Sequence, residues 1–131
     1  PYYNKEEHYA FSNFMNSALN GETIYIKSPN KVERSYVYIP NLIEFVLESI
    51  LETNKRKTQI FDAVQISYEI RELAKIVAET YNVKIQDNSQ FNKNNEADIY
   101  VSDDTTLINY LGKKNLSVSI TKNEILSSQL N

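Results

Sequence analysis

Apolar and polar positions alternate with two different periods along this chain, and the switches between them mark out its elements. From Glu6 to Asn20, Phe11, Phe14, Met15, Ala18 and Leu19 fall at i, i+3, i+4, i+7 and i+8, the stripe of an amphipathic helix, and Gly21 follows as a C-terminal cap. Thr23–Lys27 alternates as a strand, and Ser28–Lys31 has the residue types of a turn, with Asn30 suited to a positive φ. A second alternating run, Ser35 to Ile39, predicts a half-buried strand with Arg34 at its mouth. Pro40 removes a ladder donor and ends that strand, after which Asn41, with Glu44 three residues on, reads as an N-cap and capping box.

The helix from Asn41 to Thr53 is apolar over most of its circumference (Leu42, Ile43, Phe45, Val46, Leu47, Ile50, Leu51) and so calls for covering on both flanks. After the polar link Asn54–Thr58, Gln59–Val64 reads as a short strand and Ser67 as the cap of a helix striped by Ile70, Leu73, Ala74, Val77 and Tyr81. Short strands are predicted at Val83–Ile85 and Asp98–Ser102, with the asparagine-rich Gln86–Glu96 as a loop between them. Asp103 or Asp104 caps a short helix ending at Leu111-Gly112. Leu116–Ile120 then precedes a last helix over Lys122–Leu130. The expected fold is a small α/β assembly of about five helices and several short strands in one domain, residues 1–131.

Composition narrows the chemistry. A net charge of −3, with Lys55-Arg56-Lys57 as the one basic cluster, disfavours nucleic-acid binding across the domain. The chain has no cysteine, which removes disulfides, thiolate metal sites and thiol nucleophiles together and fits a reducing, cytoplasmic setting. No apolar run approaches the ~20 residues of a membrane span, and no signal peptide is visible. The chain opens on Pro1 rather than methionine, which suggests a processed or excerpted piece. With only Gly21 and Gly112, it holds no glycine-rich phosphate loop.

Short motifs then occur in a telling order. Arg34, Ser35, Tyr36, Tyr38 and Leu42 match an Arg-Ser-Tyr-x-Tyr-Val-x-Asp-Leu pattern, with Ile39 a conservative stand-in and Asn41 replacing the aspartate. Tyr9, Ala10 and Phe14 precede it, followed by Gly21, Glu22, Ile24 and Ile26; Ile70, Glu72, Leu73 and Ala74 come after, and then the Leu111-Gly112 pair. This order resembles the C-terminal, substrate-binding part of extended short-chain dehydrogenases, the NAD-dependent epimerase/dehydratase family acting on nucleotide sugars. The resemblance runs from Tyr9 to Ile125. Two departures stand out: Ile60–Val64 has no glycine where the family has Asn-Val-Gly-Ser, and Asn94, Asn95 and Glu96 offer no second arginine.

The resemblance implies a nucleotide-sugar substrate, with Arg34 on its diphosphate, and NAD or NADP in a parent enzyme that also has an N-terminal Rossmann half. Taken alone, Arg34 reads as a structural or solvent-facing arginine, although its rigid, always-charged fork suits phosphate oxygens, and it is the resemblance that turns the reading toward the diphosphate. Family chemistry uses a Tyr-x-x-x-Lys pair. Tyr110 and Lys114 have that spacing but straddle Gly112 at an expected helix end, outside the family's catalytic helix, so no catalytic residue is assigned. His8 stands alone as a histidine and reads as a surface residue rather than a metal ligand, Asp103-Asp104 as capping residues, and Lys27 and Lys31 as solvated turn lysines.

Two expectations follow, and two rival readings stand beside them. The chain alone holds no cofactor and does not turn over. Loss of the nucleotide-binding half bares apolar surface on Leu42, Phe45, Val46 or their neighbours, which drives self-association. The rival readings are a non-catalytic nucleotide or sugar-phosphate binding module and a purely structural interaction domain.

Overall fold

Residues 9–51, 58, 60–87 and 96–116 are described in the computed structural model, and among them the chain forms four helices and five short strands of mixed α/β type. Among the described residues two compact units emerge, one holding 9–34, 68–87 and 96–99, the other 35–51, 58, 60–67 and 100–116.

In the first unit, helix α1 (Ala10–Leu19) buries Phe14, Met15 and Ala18, three of the five stripe positions, while Leu19 stays exposed. Its end is a Schellman turn: Gly21 N–H donates to Ala18 O and Glu22 N–H to Ser17 O, with Gly21 at φ 69°. Strand β1 (Ile24–Ile26) buries Ile24 and Ile26 and exposes Tyr25 between them. It pairs in parallel with β4 (Ile85–Asp87), Ile24 opposite Ile85 and Ile26 opposite Asp87. Helix α3 (Ile70–Tyr81) packs on α1 and β1 through Leu73, Ala74, Val77 and Ala78, all buried. Leu73, Ala74 and Val77 of the predicted stripe thus lie in the core of this unit, with Ile70 and Tyr81 half-buried at its ends. Asn82 ends α3 in the left-handed region (φ 55°), a conformation asparagine tolerates better than most residues.

Several boundaries differ from the sequence expectation. Strand β2 covers Val32–Tyr36, so Arg34 lies in the middle of the strand rather than at its mouth. Helix α2 begins at Ile39 and runs to Leu51, taking Pro40 into its first turn, where a missing N–H breaks no helical bond. Asn41 is consequently a buried residue inside the helix rather than its N-cap, and no capping box with Glu44 forms. Asn30 is not in the left-handed region either, which among the described non-glycine residues holds Asn82 and Asn115 alone. The turn is closed instead by the Ser28 hydroxyl, which accepts from Asn30 N–H at 3.3 Å.

Ile60–Val64 is irregular, and the strand lies later, as β3 (Ile66–Glu69). Two donors of this run are met without a ladder partner: Asp62 N–H goes to Asp104 Oδ2 (2.9 Å) and Val64 N–H to Asp62 O (2.9 Å). Ser67 sits within β3, its hydroxyl 3.0 Å from that of Ser35, while Glu69 caps α3 by accepting Arg71 N–H. Strand β5 (Asp98–Tyr100) completes a sheet ordered β3-β2-β5.

In the second unit, α2 packs with α4 (Thr106–Lys113), which buries Leu107 and Leu111. The N-cap of α4 is Thr105 rather than Asp103 or Asp104, although Asp104, one residue earlier, accepts Thr106 N–H at 2.8 Å, and α4 continues through Gly112. Among the described residues the covering expected for α2 is not met. Leu42 and Phe45 are half-buried, whereas Ile39, Ile43, Val46 and Leu47 are exposed, and Ile50 and Leu51 are 71% and 75% exposed. Among the described residues no helix is long and apolar enough to cross a membrane. Of the expected loop Gln86–Glu96, Gln86 and Asp87 instead belong to β4; residues 88–95 of it, residues 54–57 of the polar link, the segment 117–120 and the helix over 122–130 lie outside the described residues, as does His8.

The two glycines predict opposite responses to alanine. Each has open space where a Cβ would go, so only backbone conformation differs. Gly21→Ala should destabilise by about 1 kcal/mol because φ is positive there, while Gly112→Ala, in a helix, should stabilise by roughly 0.5 kcal/mol. Urea unfolding of both variants beside the parent chain measures the two signs.

Candidate functional site

Arg34 leaves β2 toward β5. Its Nη1 donates to the carbonyl oxygens of Glu33 (2.9 Å) and Asp98 (2.8 Å), and its Nη2 donates to Asp98 Oδ2 at 2.6 Å. Asp98 is itself fixed by its backbone, its N–H donating to Lys31 O at 2.8 Å. The two side chains are 37% and 56% exposed, so the pair stands at the surface. An arginine in mid-strand, gripped by two carbonyls, has one preferred plane. That is what orientation of a phosphate or carboxylate contact needs, and equally what a strand clamp needs.

A second arginine, which no sequence motif singled out, holds the turn before β2. Arg71 donates from Nε to Asp87 Oδ2 (2.9 Å), from Nη1 to Glu69 Oε1 (3.0 Å) and Asn30 O (3.2 Å), and from Nη2 to Ser28 O (2.8 Å). Only 19% of its side chain is exposed. It lies beside the apolar stripe of α3, where helical periodicity carries no sign of these contacts. Lys31 of the same turn pairs with Glu33 at 2.8 Å.

In the second unit, Gln65 is the organising polar group, 2% exposed. Its Oε1 accepts Tyr38 N–H (3.1 Å), the residue preceding α2, and Asn41 Nδ2 (3.2 Å). The helix start that the sequence assigned to Asn41 is therefore made by an amide 24 residues away. Ser35, beside Arg34 in the motif, accepts Ser102 N–H at 3.2 Å, a scaffolding contact between strand segments.

Tyr110 on α4 and Lys114 at its C-cap come to one side, since Gly112 does not interrupt the helix and Lys114 N–H bonds back to Tyr110 O at 3.2 Å; Lys114 Nζ lies 5.8 Å from the Tyr110 ring centre. The expectation of broken spacing is corrected, yet the surroundings are those of a salt bridge. Lys114 Nζ pairs with Glu48, and Tyr110 OH donates to Glu44 at 3.5 Å. Desolvation, then the Glu44 charge, pushes the Tyr110 phenol above its ordinary range, the direction opposite to that of a proton-transfer tyrosine. Phe45 packs edge-on against both Tyr110 and Phe61. Among the described residues no group of three or more His, Cys, Asp or Glu could hold a metal.

No protein-family model matches this chain, and no curated protein matches it as a relative.

The Lys114 hydrogen bond holds Glu48 below the ordinary carboxyl range, and the same bond raises Lys114. A depressed carboxyl favours the fold above its unfolded pKa, and that benefit goes as pH falls through the folded value. A raised lysine favours it below its unfolded pKa, and that benefit goes as pH rises through the folded value. Carbon-detected NMR should therefore place the Glu48 midpoint below that of an ordinary glutamate, and Lys114→Met should move it back up.

Proposed function

We propose that this chain is the nucleotide-sugar-binding part of an NAD(P)-dependent epimerase or dehydratase of the extended short-chain dehydrogenase type, with Arg34 meeting the diphosphate. The ordered run of motifs from Tyr9 to Leu111-Gly112 supports the reading. So does the one observation that carries the site: a mid-strand guanidinium, oriented by carbonyls and still partly exposed. A phosphoryl oxygen gains a charge-assisted bond from a donor already held in place, without the entropy loss of ordering a free side chain. In this reading the cofactor and the proton-transfer pair belong to the N-terminal half of the parent enzyme, and the chain by itself takes up neither NAD nor NADP.

The exposed face of α2 fits the same reading as the seat of that half. Ile39, Ile43, Val46, Leu47 and Ile50 recur at helical spacing along it, too continuous an apolar surface to be indifferent to water. In the isolated chain this face drives self-association.

Two measurements bear on these points. Titrating UDP into the chain should give saturable heat that Arg34→Ala weakens roughly tenfold or more, the scale of a charged hydrogen bond, while NAD gives none; equal UDP affinity in the variant would leave Arg34 a strand clamp. Light scattering should find the chain larger than a monomer at high concentration, and Ile43→Glu with Leu47→Glu should return it to one.

A further inference from the structure

We infer that the Asp98 carboxylate is a built-in competitor for the anion-facing edge of Arg34, an inference that rests on reading Arg34 as a phosphate contact. The two terminal nitrogens of the guanidinium are held differently. Nη1 donates to two main-chain carbonyls, Glu33 at 2.9 Å and Asp98 at 2.8 Å, and so is fixed by the strands themselves. Nη2 meets only a side-chain oxygen in this pair, Asp98 Oδ2 at 2.6 Å.

A carboxylate oxygen and a phosphoryl oxygen are interchangeable partners for a guanidinium N–H. An incoming diphosphate therefore finds Nη2 engaged by a group of its own sign, 56% exposed and facing the same water. It must either displace Oδ2 or bind beside it against like-charge repulsion. Either route subtracts from affinity.

The aim of the fork does not depend on that carboxylate. Asp98 N–H on Lys31 O keeps the Asp98 carbonyl where Nη1 needs it, whatever the side chain is. Neutralising Asp98 thus leaves the donor in place and raises the positive potential around it. A carboxylate that served to aim Arg34 would have the opposite signature, since its loss would let the fork swing and weaken binding.

The test is a double-mutant cycle read by calorimetry at low salt, with UDP and inorganic pyrophosphate as probes, on the parent chain, Asp98→Asn, Arg34→Ala and the double variant. Asp98→Asn should tighten both probes roughly two- to fivefold, the scale of an exposed ion pair, and the gain should vanish when Arg34 is also alanine. Asp98→Ser, equally uncharged, stands in should the asparagine variant fail to fold. Unchanged or weaker binding in the neutral variants, with Arg34→Ala still losing affinity, overturns the competitor role and leaves the phosphate contact standing. Binding that ignores Arg34→Ala, or no binding in any of the four, removes both.

Discussion

Guanidinium groups bonded to main-chain carbonyls set the geometry of the segment around β2. Strands of three to five residues have few ladder bonds and hold their register weakly unaided. Arg71 ties Ser28 O and Asn30 O to Glu69 and Asp87, which fixes the turn, and Arg34 ties Glu33 O to Asp98 O, which fixes the strand leaving it. A planar fork of donors does this better than an ammonium, because one side chain can engage several oxygens at angles the backbone already presents. The polar anchoring thus supplies what strand length does not.

The helices of the first unit were legible because their evidence is local. Leu73, Ala74 and Val77 recur at helical spacing, and burying them requires only that the helix form and find an apolar neighbour. Gly21 was legible for the same reason: a helix end needs a residue at positive φ, and glycine takes it without steric cost. The strands were found only approximately. Tyr36, Val37, Tyr38 and Ile39 alternate as well as any strand, but Gln65 takes the Tyr38 N–H and α2 starts at Ile39, so the alternation ends inside a helix. Nothing within a dozen residues of Asn41 announces that its partner is a distant glutamine.

Helix α2 illustrates the complementary limit. An apolar circumference states that water is unfavourable on most sides of a helix, yet it is silent about which molecule does the covering. Phe45 finds Phe61 and Tyr110, whereas Ile50 and Leu51 find nothing among the described residues. Hydropathy states the need, and the fold shows that the described residues leave much of it unmet.

Tyr110 and Lys114 make the same point about chemistry. Four-residue spacing on an unbroken helix brings a phenol and an ammonium to one face, which by sequence pattern alone would qualify as a proton-transfer pair. What decides the matter is the next residue out. Glu48 claims the ammonium and, with Glu44, surrounds the phenol with negative charge, so the lysine cannot act as the uncompensated cation that would lower the phenol's pKa. Arg34 poses the mirror-image problem: it too has a carboxylate partner, but two of its bonds go to carbonyls that carry no net charge, and it remains a cation only partly offset. How many of a cation's bonds are made to charge and how many to backbone is written in the fold rather than in the motif.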